Sequence, residues 1–295
     1  MERSAERLRI LEKIEELERA RLFDRDVEDD PPTVPIEPGT VDYTGKKLST
    51  RIASEIANQV AKHHFDRCIK KGELIIREVR GLENYLAVAE QGAIITCNHF
   101  HPFDNYAVFK PIEKNLGRKR LYKIIREGNY TSFPGLYGYF FRHCNTIPIP
   151  SKSVAAREMM QAVGDLLARG EKILVYPEQG MWWNYRKPRP MKDGAFFFAA
   201  KAMVPVVPFF ITMEDTDIID GDGFPRQGFP KQAYTVHILP AIFPSEKVSL
   251  RANIRDMRAA NEAAWKAVYE EFYGVPLAYL EPNTEEATEE CSTSQ

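Results

Sequence analysis

His99 is followed five positions later by Asp104, in the run Asn98-His99-Phe100-His101-Pro102-Phe103-Asp104. A carboxylate that folds back onto an imidazole fixes its tautomer and stabilises the cation formed when the ring accepts a proton. An ordinary imidazole titrates near pH ~6.5, which suits a general base at neutral pH. The run follows the apolar stretch Gly92 to Asn98, so His99 stands where a strand leaves a sheet, with Asp104 near the start of the next helix. Ligands and catalytic groups of α/β proteins gather at such strand ends. Spacing alone leaves a plainer reading open, in which His99 closes a loop and Asp104 caps a helix.

Positioning these residues takes a layered fold. Seven strand-like runs are read: Glu73 to Arg80, Gly92 to Asn98, Arg118 to Glu127, Thr146 to Pro150, Lys172 to Pro177, Val204 to Ile211 and Tyr234 to Phe243. Several are continuously apolar, as strands covered on both faces are. Between them, Val154 to Ala168 carries a helical stripe (Met159, Val163, Leu166, Leu167) closed by Gly170. A last helix, Leu250 to Tyr273, turns Ile254, Met257, Trp265, Val268 and Phe272 inward and stops at Gly274 and Pro276. The expected fold class is α/β, with a central, mostly parallel or mixed sheet of about seven strands flanked by helices.

The remaining segments are read around that domain, residues 47–280. Residues 1–23 form an amphipathic helix with Leu8, Leu11, Ile14 and Leu17 on one side, an appendage to the domain. Residues 24–46, acidic and then rich in proline, read as an extended linker, and residues 281–295 as a disordered acidic tail. Leu48, Ile52, Ile56 and Val60 predict a helix with that face against the core.

Composition narrows the chemistry. Forty Lys and Arg against 42 Asp and Glu leave a net charge of -2, which gives no reason to expect a nucleic-acid partner. The four cysteines are scattered without a Cys-x-x-Cys pair, so disulfides are not expected. The first 22 residues lack the apolar core of a signal peptide, and the most apolar stretch, Ala195 to Ile211, is broken by Lys201, Pro205 and Pro208. A cytoplasmic protein follows. Cys97, His99 and His101 alternate as zinc ligands could, but no second Cys/His cluster completes a site, so a metal-dependent hydrolase is the lesser alternative and no metal is expected. No Gly-x-Ser-x-Gly elbow is present for a serine hydrolase.

Three blocks carry a resemblance. His99-x4-Asp104 preceded by Asn98, then Tyr176-Pro177-Glu178-Gln179-Gly180, then Val204-Pro205-Val206-Val207-Pro208 resemble, in order and spacing, the first, third and fourth motifs of the glycerolipid (PlsC-type) acyltransferase family. The resemblance implies a glycerol-phosphate acyltransferase-like fold. It also implies transfer of a fatty acyl group from acyl-CoA or an acyl carrier protein to the hydroxyl of a lysophospholipid, most naturally 1-acylglycerol-3-phosphate. His99 would be the base and Asp104 its partner, with no cofactor beyond the thioester co-substrate and no acyl-enzyme. Glu178 would bind the acceptor's hydroxyls, with a loop-capping carboxylate as the alternative; Gly180 would lie near the oxyanion, and Asn98 beside the base. The family's second-block arginine, associated with the acceptor's phosphate, has no counterpart in Thr146-Ile147-Pro148-Ile149-Pro150-Ser151-Lys152; Arg142 and Lys152 flank its place. Gln179 and Met181-Trp182-Trp183 also depart from the third block. A lipid-binding protein that has lost activity is therefore the main alternative.

Two patches bear on the partner. Arg186, Lys187, Arg189 and Lys192 among Trp182, Trp183 and Tyr185 suit an anionic lipid interface, or are an ordinary basic loop. Phe133, Leu136, Tyr137, Tyr139, Phe140 and Phe141 suit an acyl-chain groove or a membrane-dipping edge, or are a core helix. The reading that results is an enzyme associated peripherally with the cytoplasmic membrane face.

Overall fold

The computed structural model describes residues 3–28, 32–221 and 228–282. Seven strands form one sheet: β1 (Ile75–Arg80), β2 (Ala93–Thr96), β3 (Leu121–Arg126), β4 (Thr146–Ile149), β5 (Lys172–Val175), β6 (Val206–Asp220) and β7 (Phe229–Ile238), in the order β1-β7-β6-β2-β5-β3-β4. Every neighbouring pair is parallel except β6 and β7. The central strands β2 and β5 are buried along their whole length, which is why they read as mainly apolar runs. Pro148 sits in β4 at the sheet's edge, where a missing ladder donor is tolerated. All seven expected strands are present, and the fold class is the expected one. The β6/β7 pair is longer than the apolar runs indicate, because the outer half of β6 is exposed and polar and pairs with β7 through the backbone ladder and side-chain bonds such as Gln232 to Asp215 at 2.8 Å.

The helices are α1 (Ala5–Arg19), α2 (Leu48–Lys70), α3 (Leu82–Leu86), α4 (Asp104–Ile112), α5 (Glu127–Ser132), α6 (Gly135–His143), α7 (Ser153–Ala168), α8 (Gly194–Ala202) and α9 (Leu250–Tyr273). Two cores cover the sheet. One gathers Phe65, Val108, Leu174 and Phe209 beneath α2 and α4; the other packs Ile94, Val163, Phe196 and Trp265 beneath α7, α8 and α9. α9 begins on a Ser249 side-chain cap and ends at Gly274 in the left-handed conformation, as expected. Its buried face differs from the one read: it holds Asn253 and Asn261 beside Met257, Trp265 and Tyr269, and Asn261 accepts a 2.6 Å hydrogen bond from Thr96 at the end of β2. Asn253 is held through both side-chain atoms by Ser245, and Asn261 through its oxygen by Thr96, contacts that hydrophobic periodicity does not register.

Two expectations are corrected. The α2 stripe faces outward: Leu48, Ile52, Ile56 and Val60 are 67%, 53%, 54% and 43% exposed, while Ser54, Ala57, Phe65 and Cys68 face the protein. Nor do the N-terminal helix and linker hang free. Ile10, Ile14, Phe23 and Val27 form a third core with Trp182, Trp183 and Phe229, and Tyr43 is buried in the second. Apart from residues 281 and 282, the expected acidic tail lies outside the described residues.

His237 on β7 is buried, accepts or donates at 3.0 Å with Thr212 Oγ1 and meets Phe272 edge-on. Burial and, secondarily, Arg80 pull its pKa down to about 4. An unfolded His titrates near ~6.5, so as pH falls the unfolded chain takes the proton first. The stability His237 confers is complete above that value and is lost as pH falls toward 4. His237→Gln should therefore lose less stability than wild type between pH 7 and 4.5, by about 1–2 kcal/mol in urea unfolding; an unchanged pH dependence would refute the assignment.

Candidate active site

β2 ends at Thr96, and the chain turns through His99 into α4, whose first residue is Asp104. The imidazole and carboxylate meet at 2.7 Å, Nδ1 to Oδ2. Asp104 is 1% exposed, and the same oxygen accepts from the backbone N–H of Phe100 (3.1 Å) and, more loosely, His101 (3.4 Å). Its other oxygen accepts from the Tyr176 hydroxyl at 2.6 Å. Burial and the Asp104 charge hold the Tyr176 phenol far above its usual range, so it remains a donor. The Tyr176 ring lies parallel to the His99 ring at 4.0 Å, fixing its plane. With a carboxylate as acceptor, Nδ1 carries the proton, and Nε2, which has no partner among the described residues, is left able to accept one.

His99 lines a cavity of about 1340 Å³. Phe65, Phe103, Phe133, Tyr137, Phe140 and Phe141 supply much of its apolar wall, while Lys123, Arg126 and Lys192 bring cations to it. The aromatic cluster of residues 133–141 is thus a groove wall: Phe140 is buried, whereas Leu136 and Tyr137 are exposed. Gly138 has to be glycine there, since a Cβ would stand 1.8 Å from the Phe133 carbonyl oxygen.

The other residues read as substrate contacts have different work. Asn98 is buried and clamps β2 to β6, accepting from Ile211 N–H at 2.8 Å and donating to its carbonyl at 3.0 Å. Glu178 is 2% exposed and accepts from His99 N–H (3.1 Å), Arg189 N–H (2.8 Å) and the Arg189 guanidinium (3.0 Å). Its carboxylate is occupied by these protein donors and is not part of the cavity lining, which corrects the expectation that it binds the acceptor. The N–H of Gly180 donates to the Glu178 carbonyl at 3.1 Å, and its carbonyl accepts from Arg189. A Cβ on Gly180 would stand 2.8 Å from Asp26 Oδ1, so this glycine serves the close approach of the N-terminal segment. Gln179, where the family carries glycine, takes the left-handed φ of +68 that glycine adopts without penalty.

Arg142, Lys152 and Arg186 are also corrected, since none lines the cavity. Arg142 donates to the Phe133 carbonyl, Lys152 pairs with Glu37, and Arg186 binds Asp215 and Gln232 on the β6/β7 hairpin. Among the cations that do line the cavity is Arg126 at the end of β3, which the sequence places within a strand run and marks no further. Its only signal is a basic residue at the C-terminal end of a strand, and the same run carries Lys123 and three further cations before it. The tryptophan-rich basic loop, expected as an anionic lipid interface or an ordinary basic loop, is packed against the N-terminal segment. Trp182 and Trp183 are buried beneath α1, and Lys187 and Lys192 pair with Glu18 and Asp24 of the N-terminal segment.

The alternating trio does not converge on a metal. Cys97 is wholly buried with its thiol on Asn98 Oδ1, and burial pushes its pKa well above the usual value. His101 Nδ1 accepts from Phe103 N–H, and burial lowers its pKa to about 4. Among the described residues no group of three or more His, Cys, Asp and Glu is placed to hold a metal ion.

Arg189 is 2% exposed and stacks on Trp182 at 4.7 Å while pairing with Glu178. Removing one partner strands the other charge. Arg189→Met should cost about 3–5 kcal/mol in thermal or urea unfolding, whereas a loss below 1 kcal/mol would show that the pair does not brace the loop.

No curated protein matches the chain. Among solved structures, the 1-acyl-sn-glycerophosphate (LPA) acyltransferase PlsC from Thermotoga maritima is similar, at 19% identity over 78% of this chain and 81% of that one, with a TM-score of 0.48. The acyltransferase family profile matches residues 76–212, the span from β1 through His99, Asp104 and Glu178 into β6. By that match residues 76–212 are similar to the acyltransferase family.

Proposed function

We propose that the protein transfers a fatty acyl group from acyl-CoA or an acyl carrier protein to the hydroxyl of a lysophospholipid, with 1-acylglycerol-3-phosphate the leading acceptor. The observation that carries the reading is the His99 imidazole, braced at Nδ1 by Asp104 and open at Nε2, on the wall of a large aromatic cavity. In this mechanism Nε2 takes the proton of the acceptor hydroxyl as its oxygen attacks the thioester carbonyl. The tetrahedral intermediate collapses, the C–S bond breaks, and the imidazolium returns the proton to the departing thiolate, giving an ester and a free thiol. Asp104 stabilises the imidazolium without itself being protonated. The aromatic wall suits an acyl chain, and cations at its edge suit a phosphate.

The same reading brings the enzyme to a lipid surface. Among the described residues no helix is long and apolar enough to cross a membrane. The outward stripe of α2 instead presents Leu48, Ile52, Ile56 and Val60 with exposed Lys47, Arg51 and Arg67 alongside, a combination that suits shallow insertion among anionic headgroups. Other residues of α2, Phe65 among them, line the cavity, so a lipid acceptor would have a short path to His99. α1, whose apolar face is buried, takes no part.

Thiol release from long-chain acyl-CoA or acyl carrier protein, measured with a panel of lysolipid acceptors, tests the reaction. Release should depend on acceptor, and His99→Ala should lower it by about 10²–10⁴-fold. Release that survives in the variant, or its absence from wild type with every donor and acceptor, would favour a lipid-binding protein. Ile52→Glu combined with Ile56→Glu should weaken sedimentation with anionic vesicles by about tenfold or more while leaving turnover of detergent-dispersed acceptor in place. Unchanged sedimentation would remove α2 as the contact.

A further inference from the structure

The N-terminal segment lays two aspartates on two of the cavity's cations. Arg126 holds Asp26 in a two-pronged pair, Nη1 to Oδ2 at 2.7 Å and Nη2 to Oδ1 at 2.5 Å, and Lys192 holds Asp24 at 2.9 Å. Arg126, Lys192 and Asp26 all line the cavity that contains His99. The planar fork of a guanidinium binds a carboxylate and a phosphate in the same way, through parallel N–H donors. Asp26 therefore has the chemistry of an acceptor headgroup and stands on the cation that would receive one. The pair is also exchangeable, with side chains 37% and 41% exposed. Its surroundings do not depend on it: Trp182 Nε1 donates to the Arg25 carbonyl at 2.9 Å, Arg189 to the Phe23 carbonyl at 3.0 Å, and Phe23 packs on Trp182.

We propose that Arg126 selects acceptors with an anionic headgroup and that Asp26 is its resident counter-anion, which the headgroup displaces on binding. The inference rests on the acyl-transfer reading and adds to it a specificity residue and an internal competitor. Because the competing carboxylate is part of the chain, its effective concentration is high and every anionic acceptor binds against it. Uncharged acceptors do not.

The test is calorimetric titration of the full chain with 1-hexanoylglycerol 3-phosphate and with uncharged 1-hexanoylglycerol. Asp26→Asn, which retains the segment's packing, should bind the phosphate compound about fivefold tighter, the effect of removing a half-exposed competing pair. Arg126→Gln should bind it at least about tenfold more weakly, with Arg126→Lys in between, and none of the three should alter binding of the uncharged compound. Unchanged or weaker phosphate binding by Asp26→Asn, or equal weakening of both compounds by Arg126→Gln, overturns the proposal and leaves the pair as a structural clamp. Thiol release from wild type, measured in parallel, separates the two readings. Normal release with an unmoved phosphate preference removes the headgroup seat alone, and the predicted preference without release removes acyl transfer alone.

Discussion

A buried carboxylate has to be saturated with donors, and the site is organised around how Asp104 meets that demand. At 1% exposure it collects the His99 imidazole, two backbone N–H groups of its own turn and the Tyr176 hydroxyl. The two backbone bonds hold the turn between β2 and α4 in one shape, so the imidazole is delivered by main chain as well as by its own side-chain bond. Tyr176, arriving from the end of β5, supplies both a donor to the carboxylate and a flat surface for the ring. Three elements thereby fix one imidazole, leaving a single nitrogen turned to the cavity.

A second buried carboxylate repeats the pattern one layer out. Glu178 ties the backbone of His99 to Arg189, and Arg189 reaches onward to the carbonyls of Gly180 and Phe23. Through this arginine the turn that carries His99, the loop after β5 and the N-terminal segment become one braced unit. Removing such a charge pair's partner is costly, whereas exposed pairs such as Lys152 with Glu37 contribute about 1 kcal/mol or less. The deep pair therefore shapes the site, and the surface pairs do not.

Much of this was legible in the sequence and part was not, for identifiable reasons. Apolar runs gave all seven strands because a sheet covered on both faces admits little else. His99 and Asp104 stood out because their spacing spans one turn between strand and helix. Glu178, Asn98 and Gly180 were recognised as important but given to substrate, because a motif carries no information on whether a polar side chain faces a cavity or a partner. α2 was turned the wrong way, since helical periodicity identifies a stripe without saying what covers it. Its inward face uses Ser54 and Ala57, small residues that allow α6 to come close. The N-terminal segment was set apart for its charge and prolines, yet its few apolar residues find Trp182 and Trp183, and its acids find the basic loop. Arg126 is not distinguished in the sequence because only the third dimension brings the end of β3 to the cavity that His99 lines.

The central claim is that Asp104 holds His99 as the Nδ1–H tautomer with Nε2 free. Nitrogen-15 NMR of His99 in wild type and in Asp104→Asn, at a pH where the ring is neutral, tests it most directly. Wild type should show a protonated Nδ1 and an unprotonated Nε2, with that preference lost in the variant. A wild-type ring protonated at Nε2, or a tautomer indifferent to Asp104, would contradict it.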